Sequence, residues 1–231
     1  MADYTLYYWP LPFRGAFIKS LLALADSSWD QPAPDEVKAL MQDDPDSQPV
    51  PHMAPPVLVD HETDVALSQM PAILGYLARK HGLCPADPAQ AALTDKLVAD
   101  ANDVLYEITL HNGAQMWTPE MWSNYRPRLA RWMSIFEQIG QRHGLTPERG
   151  YLLGSDAPGL ADVVVLNLWG VMTQKLLSLR PMLDETAPAI AGLADRMAER
   201  PEQAALLQKA QADHGDEWCG GQIEKSLRAA M

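Results

Sequence analysis

The clearest hydrophobic pattern lies between residues 54 and 83, where two short apolar runs precede a longer run with helical spacing. Residues 57–59 and 65–67 flank a polar turn, which predicts a β-hairpin. Ser68 follows as a candidate helix N-cap, and Gly82 ends the helical pattern. The apolar helix positions are Ala72, Ile73, Tyr76 and Leu77. The segment therefore predicts strand, turn, strand and helix.

The pattern before this segment predicts a strand followed by a helix. Residues 4–9 (YTLYYW) are rich in aromatic and β-branched side chains, as strands are, and residues 16–25 carry apolar side chains at helical spacing. Residues 10–13 form the loop between them. Residues 26–55 contain many prolines and acids, and only residues 36–41 predict a short helix.

The pattern after residue 83 is helical throughout. Residues 84–88 (CPADP) break the periodicity and predict a linker. Residues 93–108 form one long apolar stripe, residues 111–125 interrupt the pattern, and a second long helix runs through Ile139 to a stop near Gly144.

A buried helix is predicted after residue 159. In YLLGSDAPGLADVVVLNLWG, Gly159 is at the N-cap position and Asp162 is three residues later, where its carboxylate can cap the helix. Residues 163–171 are apolar on nearly all sides, as in a central helix. Residues 190–207 predict two more helices around Arg200 and Pro201. The tail from Asp213 either folds back over the mouth of an active site or is loose.

The composition and net charge limit the classes of protein to which this chain can belong. The 231 residues are 47% hydrophobic and 21% charged, which is ordinary for a globular protein with a substantial core. The net charge of −12 argues against a nucleic-acid surface, because phosphate binding needs clustered basic side chains. The two cysteines are far apart and no apolar run is long enough for a membrane span, so we expect a reduced, cytoplasmic protein with no membrane association. The six histidines are scattered, and we expect no metal.

Two segments resemble the cytosolic glutathione transferase (GST) superfamily, with bacterial, tyrosine-type members most similar. They are PVLVD with SQMPAILGYLA in the first half, and YLLGSDAPGLADVVVL in the second. The resemblance implies an α/β thioredoxin-like N-terminal domain with a mixed four-stranded sheet, followed by an all-α C-terminal domain. The implied boundaries are residues 1–83, a linker at 84–88, and residues 89–231.

The resemblance implies that Tyr8, in LYYWPLPFRGAFIKSLLALADSSWD, contacts the sulfur of glutathione. A phenol can donate a hydrogen bond to a thiolate, which lowers the pKa of the thiol and stabilises the nucleophile. The loop also resembles members that use a hydroxyl or amide there, so another loop group stays an alternative, although Leu11 and Phe13 have no side-chain donor. Tyr8 as a plain strand residue is the other alternative.

The resemblance also implies the residues that hold the rest of glutathione. Pro56 is the expected cis-proline, Gln69 and Met70 the expected site of the glutamyl end, and Lys38 a candidate partner of the glycine carboxylate. Asp100 or Asp103 is expected to reach the glutathione of a partner subunit, although an acidic stripe on a helix is commonly a solvated face.

Three positions depart from the family pattern. Pro55 has no N–H for the usual main-chain bond to the cysteinyl part, Ala54 replaces a polar residue, and Met70 replaces a serine. Three interpretations remain open. Glutathione is held more weakly, or Pro55 is the cis residue and Ala54 supplies the backbone N–H and C=O that bind the cysteinyl part. Alternatively, the Pro55 carbonyl alone is sufficient to bind it.

The resemblance places the electrophile where the first domain faces the long helices. These side chains can equally be core or dimer-interface residues. The candidates are Trp9, Leu11, Phe13, Tyr106, His111 and Trp117.

The implied function is conjugation of the glutathione thiolate to apolar electrophiles, a detoxification reaction, by a cytoplasmic homodimer. Glutathione is the co-substrate. Two alternatives remain open: a glutathione-dependent disulfide or peroxide reductase, and a non-catalytic GST-like binding protein, which the departures at Ala54, Pro55 and Met70 favour.

Overall fold

The computed structural model describes residues 2–231 and begins with a small sheet and three helices. Alternate side chains of β1, most side chains of β3 and the apolar faces of the helices form the core of this part. The strands are β1 (Tyr4–Tyr7), β2 (Trp29–Asp30), β3 (Val57–Asp60) and β4 (Val65–Ser68). The helices are α1 (Arg14–Leu24), α2 (Pro34–Gln42) and α3 (Met70–Lys80), with a 3₁₀ turn at Pro45–Ser47.

The sheet has the order β2-β1-β3-β4. β1 and β2 are parallel, whereas β1–β3 and β3–β4 are antiparallel, so the sheet is mixed as predicted. Leu6 pairs with Leu58, and both side chains are fully buried in a core that apolar residues of α1 and α3 also form. The predicted thioredoxin-like α/β domain is confirmed.

Helices make up the second part of the molecule, as predicted, and residues 84–231 contain no strand. They pack around the apolar helix that begins at residue 160. Their bounds are α4 (Pro88–Ile108), α5 (Leu110–Gly113), α6 (Pro119–Arg142), α7 (Leu160–Val165), a π turn (Leu166–Val171), α8 (Met172–Lys175), a 3₁₀ turn (Leu177–Leu179), α9 (Arg180–Thr186), α10 (Pro188–Ala198), α11 (Pro201–His214) and α12 (Gly221–Ala230).

Two predicted helix starts were wrong. Ser68 is the last residue of β4 and pairs with Val57, so it is not the N-cap of α3; Gln69 takes that position with φ 72°. α6 begins at Pro119, inside the predicted interruption, because the Thr118 hydroxyl accepts a hydrogen bond from the Met121 N–H at 3.2 Å and caps the helix.

The start of α7 is fixed by the buried carboxylate of Asp162. It accepts hydrogen bonds from the N–H groups of Leu152 (2.7 Å) and Gly159 (2.9 Å). The Leu160 N–H donates to the Leu83 carbonyl at 2.9 Å, and a Cβ at residue 159 would come within 2.8 Å of that oxygen. Gly159 is therefore required for the close contact between α7 and the end of the first domain, and burial raises the pKa of Asp162 to about 6.

Within residues 2–231, no single helix is long and apolar enough to span a membrane. The helices Leu160–Lys175 and Leu177–Thr186 have the required length and apolar content only when they are taken together, and they are bent relative to each other.

We expect Asp162→Ala to lower the free energy of unfolding by about 2–4 kcal/mol, because two backbone N–H groups lose their acceptor. Urea denaturation followed by circular dichroism measures this loss. Asp156→Ala is the matched control, since Asp156 is exposed in the same segment. A loss below about 0.5 kcal/mol for Asp162→Ala would contradict the capping role, since that is the range of an ordinary surface substitution.

Candidate active site

Tyr8 lies immediately after β1, and its ring packs against the first turn of α1. The side chain is only 4% exposed. A Cβ at residue 15 would overlap the Tyr8 ring, so the ring can occupy this position only because residue 15 is glycine. The local sequence therefore places a phenol beside the N-terminus of an 11-residue helix.

Burial keeps the Tyr8 phenol protonated, although the groups around it are positive. Burial raises the pKa of Tyr8 to about 12, and the Arg14 guanidinium and the backbone N–H groups of Arg14 and Gly15 oppose this rise only in part. The phenol is therefore protonated at physiological pH and can donate a hydrogen bond. The helix N-terminus adds to the potential that favours an anion there.

Arg14 is a site residue that the sequence reasoning missed. Its Nε donates to Asn102 Oδ1 of α4 at 3.3 Å, and its guanidinium lies 4.9 Å from the centre of the Phe13 ring. Desolvation lowers the pKa of Arg14, so this cation is largely withdrawn from water. The available signal was a basic residue at the start of α1 with no acid nearby in sequence.

The peptide bond between Pro55 and Pro56 is cis. Pro56 is therefore the cis-proline, and the alternative that Pro55 is the cis residue is wrong. Pro56 is buried, whereas Ala54 is exposed. Just before β3, Pro55 offers a carbonyl acceptor but no N–H donor.

Gln69 and Met70 lie at the N-terminus of α3. Gln69 is exposed and has a left-handed backbone, φ 72° and ψ 120°, which is uncommon for a residue with a side chain. Met70 is 1% exposed, so its side chain belongs to the core and only its backbone N–H can serve a ligand at the helix end. The strained backbone of Gln69 turns the chain from β4 into α3.

The candidate charged residues have intramolecular partners or are solvated. Lys38 is exposed and pairs with Asp35 at 3.1 Å within α2. Asp100 pairs with Lys96 along α4, and Asp103 is exposed on the same helix. The cross-subunit role of either aspartate stays a prediction.

The six candidate pocket residues fall into separate groups. Leu11 and Phe13 contact the C-terminal tail. Tyr106 and His111 are exposed and touch each other, with ring centres 4.7 Å apart. Trp117 is 6% exposed, and Trp9 is partly buried against the core.

Trp117 is part of a compact aromatic cluster. Its ring centre lies 5.6 Å from Trp122 and 5.3 Å from Tyr125, and its Nε1–H donates to the Ile108 carbonyl at 2.8 Å. These contacts join α4 to α6. A role for Trp117 in binding the electrophile stays a prediction.

The C-terminal tail folds back over the loop between β1 and α1, which was one of the two alternatives. Trp218 is 1% exposed and meets the Phe13 ring edge-on, with ring centres 5.1 Å apart. Glu224 of α12 holds the tail, because its Oε2 accepts from the N–H groups of Trp218 (2.9 Å), Cys219 (2.8 Å) and Gly220 (2.6 Å). The tail thereby closes over the side of the site that contains Tyr8.

Residues 2–231 bring no three His, Cys, Asp or Glu side chains together in an arrangement that could hold a metal ion.

Comparison with protein families matches residues 93–230 to the family described as glutathione S-transferase, C-terminal domain. Among solved structures, a Nu-class GST from Haemonchus contortus is similar at 21% identity and a TM-score of 0.70, over 91% of this chain and 98% of that chain. The Pi-class glutathione S-transferase of Onchocerca volvulus is similar at 21% identity and a TM-score of 0.71, over 91% and 95%. At this identity the likeness shows the fold. Comparison with curated proteins finds no match.

We expect Glu224→Ala to release the tail and make Cys219 reactive, because burial raises the pKa of the Cys219 thiol to about 12 in the closed arrangement. In a Cys84→Ser background, reaction with a thiol reagent should accelerate on the order of tenfold, as local opening becomes easier. Glu217→Ala, an exposed acid in the same tail, should react like the parent. Equal rates for Glu224→Ala and the parent would mean that the three hydrogen bonds do not hold the tail.

Proposed function

The chain belongs to the glutathione S-transferase family, and from this premise we propose that it is a tyrosine-type glutathione transferase that conjugates the glutathione thiolate to apolar electrophiles. The observation that carries the proposal is the buried phenol of Tyr8 beside Arg14 and the N-terminus of α1. A protonated donor in a positive environment stabilises a thiolate more than the thiol, and this is the chemistry the reaction needs.

In the proposed reaction, glutathione loses its thiol proton to water or buffer, and the Tyr8 hydroxyl donates a hydrogen bond to the resulting thiolate. The sulfur then forms a bond to the electrophilic carbon, and the leaving group departs with its electron pair. Tyr8 stays protonated throughout, since its pKa is raised to about 12. Its contribution is electrostatic stabilisation of the nucleophile.

The glutamyl carboxylate is proposed to bind at the N-terminus of α3. The exposed amide of Gln69 and the free backbone N–H of Met70 are suitable donors there. The carbonyl of Pro55 can accept from the cysteinyl N–H, which leaves one main-chain bond fewer than a residue with its own N–H would supply.

The proposal also gives roles to Lys38 and to the aspartates of α4. Lys38 is available for the glycine carboxylate if it exchanges its exposed partner Asp35, an exchange that costs little because exposed ion pairs are weak. A cytoplasmic homodimer, in which Asp100 or Asp103 reaches the partner's glutathione, completes the assignment. The exposed position of Asp103 on α4 supports that role more than the paired Asp100 does.

A non-catalytic, GST-like binding protein is the second candidate, and the tail favours it. Trp218 and Cys219 cover the region above Tyr8, and the phenol is nearly inaccessible. A transferase must let the tail open or shift to admit the thiol. Glutathione binding without any conjugation would support this second candidate.

We expect Tyr8→Phe to lower kcat/KM for conjugation of glutathione to 1-chloro-2,4-dinitrobenzene by about 10- to 100-fold, the value of one hydrogen bond to a charged group. The apparent pKa of the bound thiol should rise in the pH–rate profile, because the thiolate loses its donor. Absorbance of the conjugate measures the rate.

Tyr7→Phe is the matched control, because Tyr7 is the adjacent tyrosine and its side chain points to the other face of the strand. It should retain the parent rate. If both variants conjugate as fast as the parent, the thiol contact lies elsewhere in the loop; if the parent binds glutathione but conjugates nothing, the binding-protein candidate stands.

A further inference from the structure

The Arg14 guanidinium is fixed in place by two contacts. Its Nε donates to the side-chain oxygen of Asn102 at 3.3 Å, and its central carbon lies 4.9 Å from the centre of the Phe13 ring. Arg14 is the first residue of α1, whereas Asn102 is in the second half of α4, 88 positions later. The hydrogen bond therefore connects the helical domain to the part of the first domain where the proposed thiol site lies.

The rest of the Arg14 guanidinium has no partner. Within residues 2–231, its two Nη groups make no hydrogen bond, and no carboxylate forms an ion pair with it. Burial lowers the pKa of Arg14, so the group is largely withdrawn from water. Charged side chains are rarely buried without a partner, and a desolvated cation with free donors gains from an anion placed against it.

The titratable side chains next to Arg14 are neutral at physiological pH. The groups whose charges act on it are Tyr8 and Cys219, and burial raises the pKa of each to about 12. Arginine itself stays protonated in proteins. Within the described part of the chain, the positive charge of Arg14 is therefore not balanced by a negative neighbour.

α4 is rich in acids, and yet it presents an amide to Arg14. The helix has four carboxylates among its 21 residues. Three of them form ion pairs with other basic side chains, and the fourth is exposed. The paired acids are Asp95, Asp100 and Glu107, and the exposed one is Asp103. The residue that contacts the guanidinium is the neutral Asn102.

An amide and a carboxylate at residue 102 would have different effects on Arg14. Both offer an oxygen that accepts a hydrogen bond from Nε–H, so both can hold the guanidinium in the same place. A carboxylate also carries a negative charge, which would offset the positive potential of Arg14 at short range. Asn102 fixes the position of Arg14 and leaves its charge available to a ligand.

We propose that Asn102 is a positioning residue of the transferase: its side-chain oxygen holds the Arg14 guanidinium beside the bound thiolate, and its neutrality leaves the charge of Arg14 to that thiolate. The inference rests on the proposed function. It adds a contribution of the helical domain, because a residue of α4 then controls how readily a thiol bound to the first domain ionises.

The test measures the apparent pKa of enzyme-bound glutathione in Asn102→Asp, which keeps the acceptor but offsets the charge of Arg14. Two readouts are used at saturating glutathione: the pH dependence of kcat/KM for 1-chloro-2,4-dinitrobenzene, and the ultraviolet absorbance of the thiolate in the binary complex. We expect the pKa of the bound thiol to rise by about one unit. The rate should then fall about tenfold at pH values below that pKa and approach the parent rate above it, where the thiolate forms in both proteins.

Gln90→Glu is the matched control, because it makes the same change of charge on the same helix. Gln90 is exposed and lies about 18 Å along the axis of α4 from residue 102, since an α-helix rises about 1.5 Å per residue. This variant should have the pH profile of the parent.

Asn102→Ala tests whether residue 102 acts through Arg14. Loss of the acceptor frees the guanidinium, so the pKa of the bound thiol should rise, but by less than in Asn102→Asp because the positive charge remains. In an Arg14→Met background, Asn102→Ala should cause no further rise, because the group that it positions is gone. Thermal unfolding of each variant verifies that it is folded.

An unchanged thiol pKa in folded Asn102→Asp would overturn the inference. An equal rise for Asn102→Ala with and without Arg14 would overturn it as well, since the amide would then act by another route. In both cases the parent still lowers the pKa of glutathione and the proposed function stands. If the parent itself does not lower that pKa, the proposed function fails and the inference fails with it.

Discussion

The Tyr8 ring can lie against the first turn of α1 only because residue 15 has no side chain, and the rest of the candidate site depends on this contact. It brings the phenol to the positive end of a helix and next to the Arg14 guanidinium. Burial keeps the phenol protonated, and the neighbouring positive groups favour an anion beside it. The chemistry proposed for the protein is therefore a consequence of how one aromatic ring packs.

α1 connects this contact to both domains. Arg14, at the start of α1, donates a hydrogen bond to Asn102 of α4. The Ser20 hydroxyl, near the middle of α1, donates to the side-chain oxygen of Asn167 at 3.3 Å, and the Ser20 carbonyl accepts a hydrogen bond from the side-chain amide of Gln203. Asp162 and Leu83 add a second junction at the start of α7. The same helix also forms the floor of a cavity lined by Lys19, Lys175 and Lys209.

The local sequence pattern predicted most of the helices and strands. It failed at positions whose structure depends on contacts with residues far away in the sequence. Residues 57–59 and 65–67 were predicted as strands from their own composition, and the observed strands extend each by one residue. The cis-proline followed from the family resemblance, and the Asp162 cap from a short motif. Ser68 was misassigned because pairing with Val57 keeps it in β4, and the strained backbone of Gln69 leaves no local signal. Sequence spacing also could not show the tail over Tyr8 or a cavity that joins Pro10 to His214, because both require contacts between residues about two hundred positions apart.

The central claim is that the pocket around Tyr8 and Arg14 binds glutathione as its thiolate. Calorimetric titration of glutathione at pH 7, in two buffers with different ionisation enthalpies, measures both the binding and the protons it releases. A free thiol with a pKa of about 8.5 is mostly protonated at this pH, so binding as the thiolate predicts saturable heat and net proton release. No saturable heat at millimolar glutathione, or binding without proton release, would contradict the account.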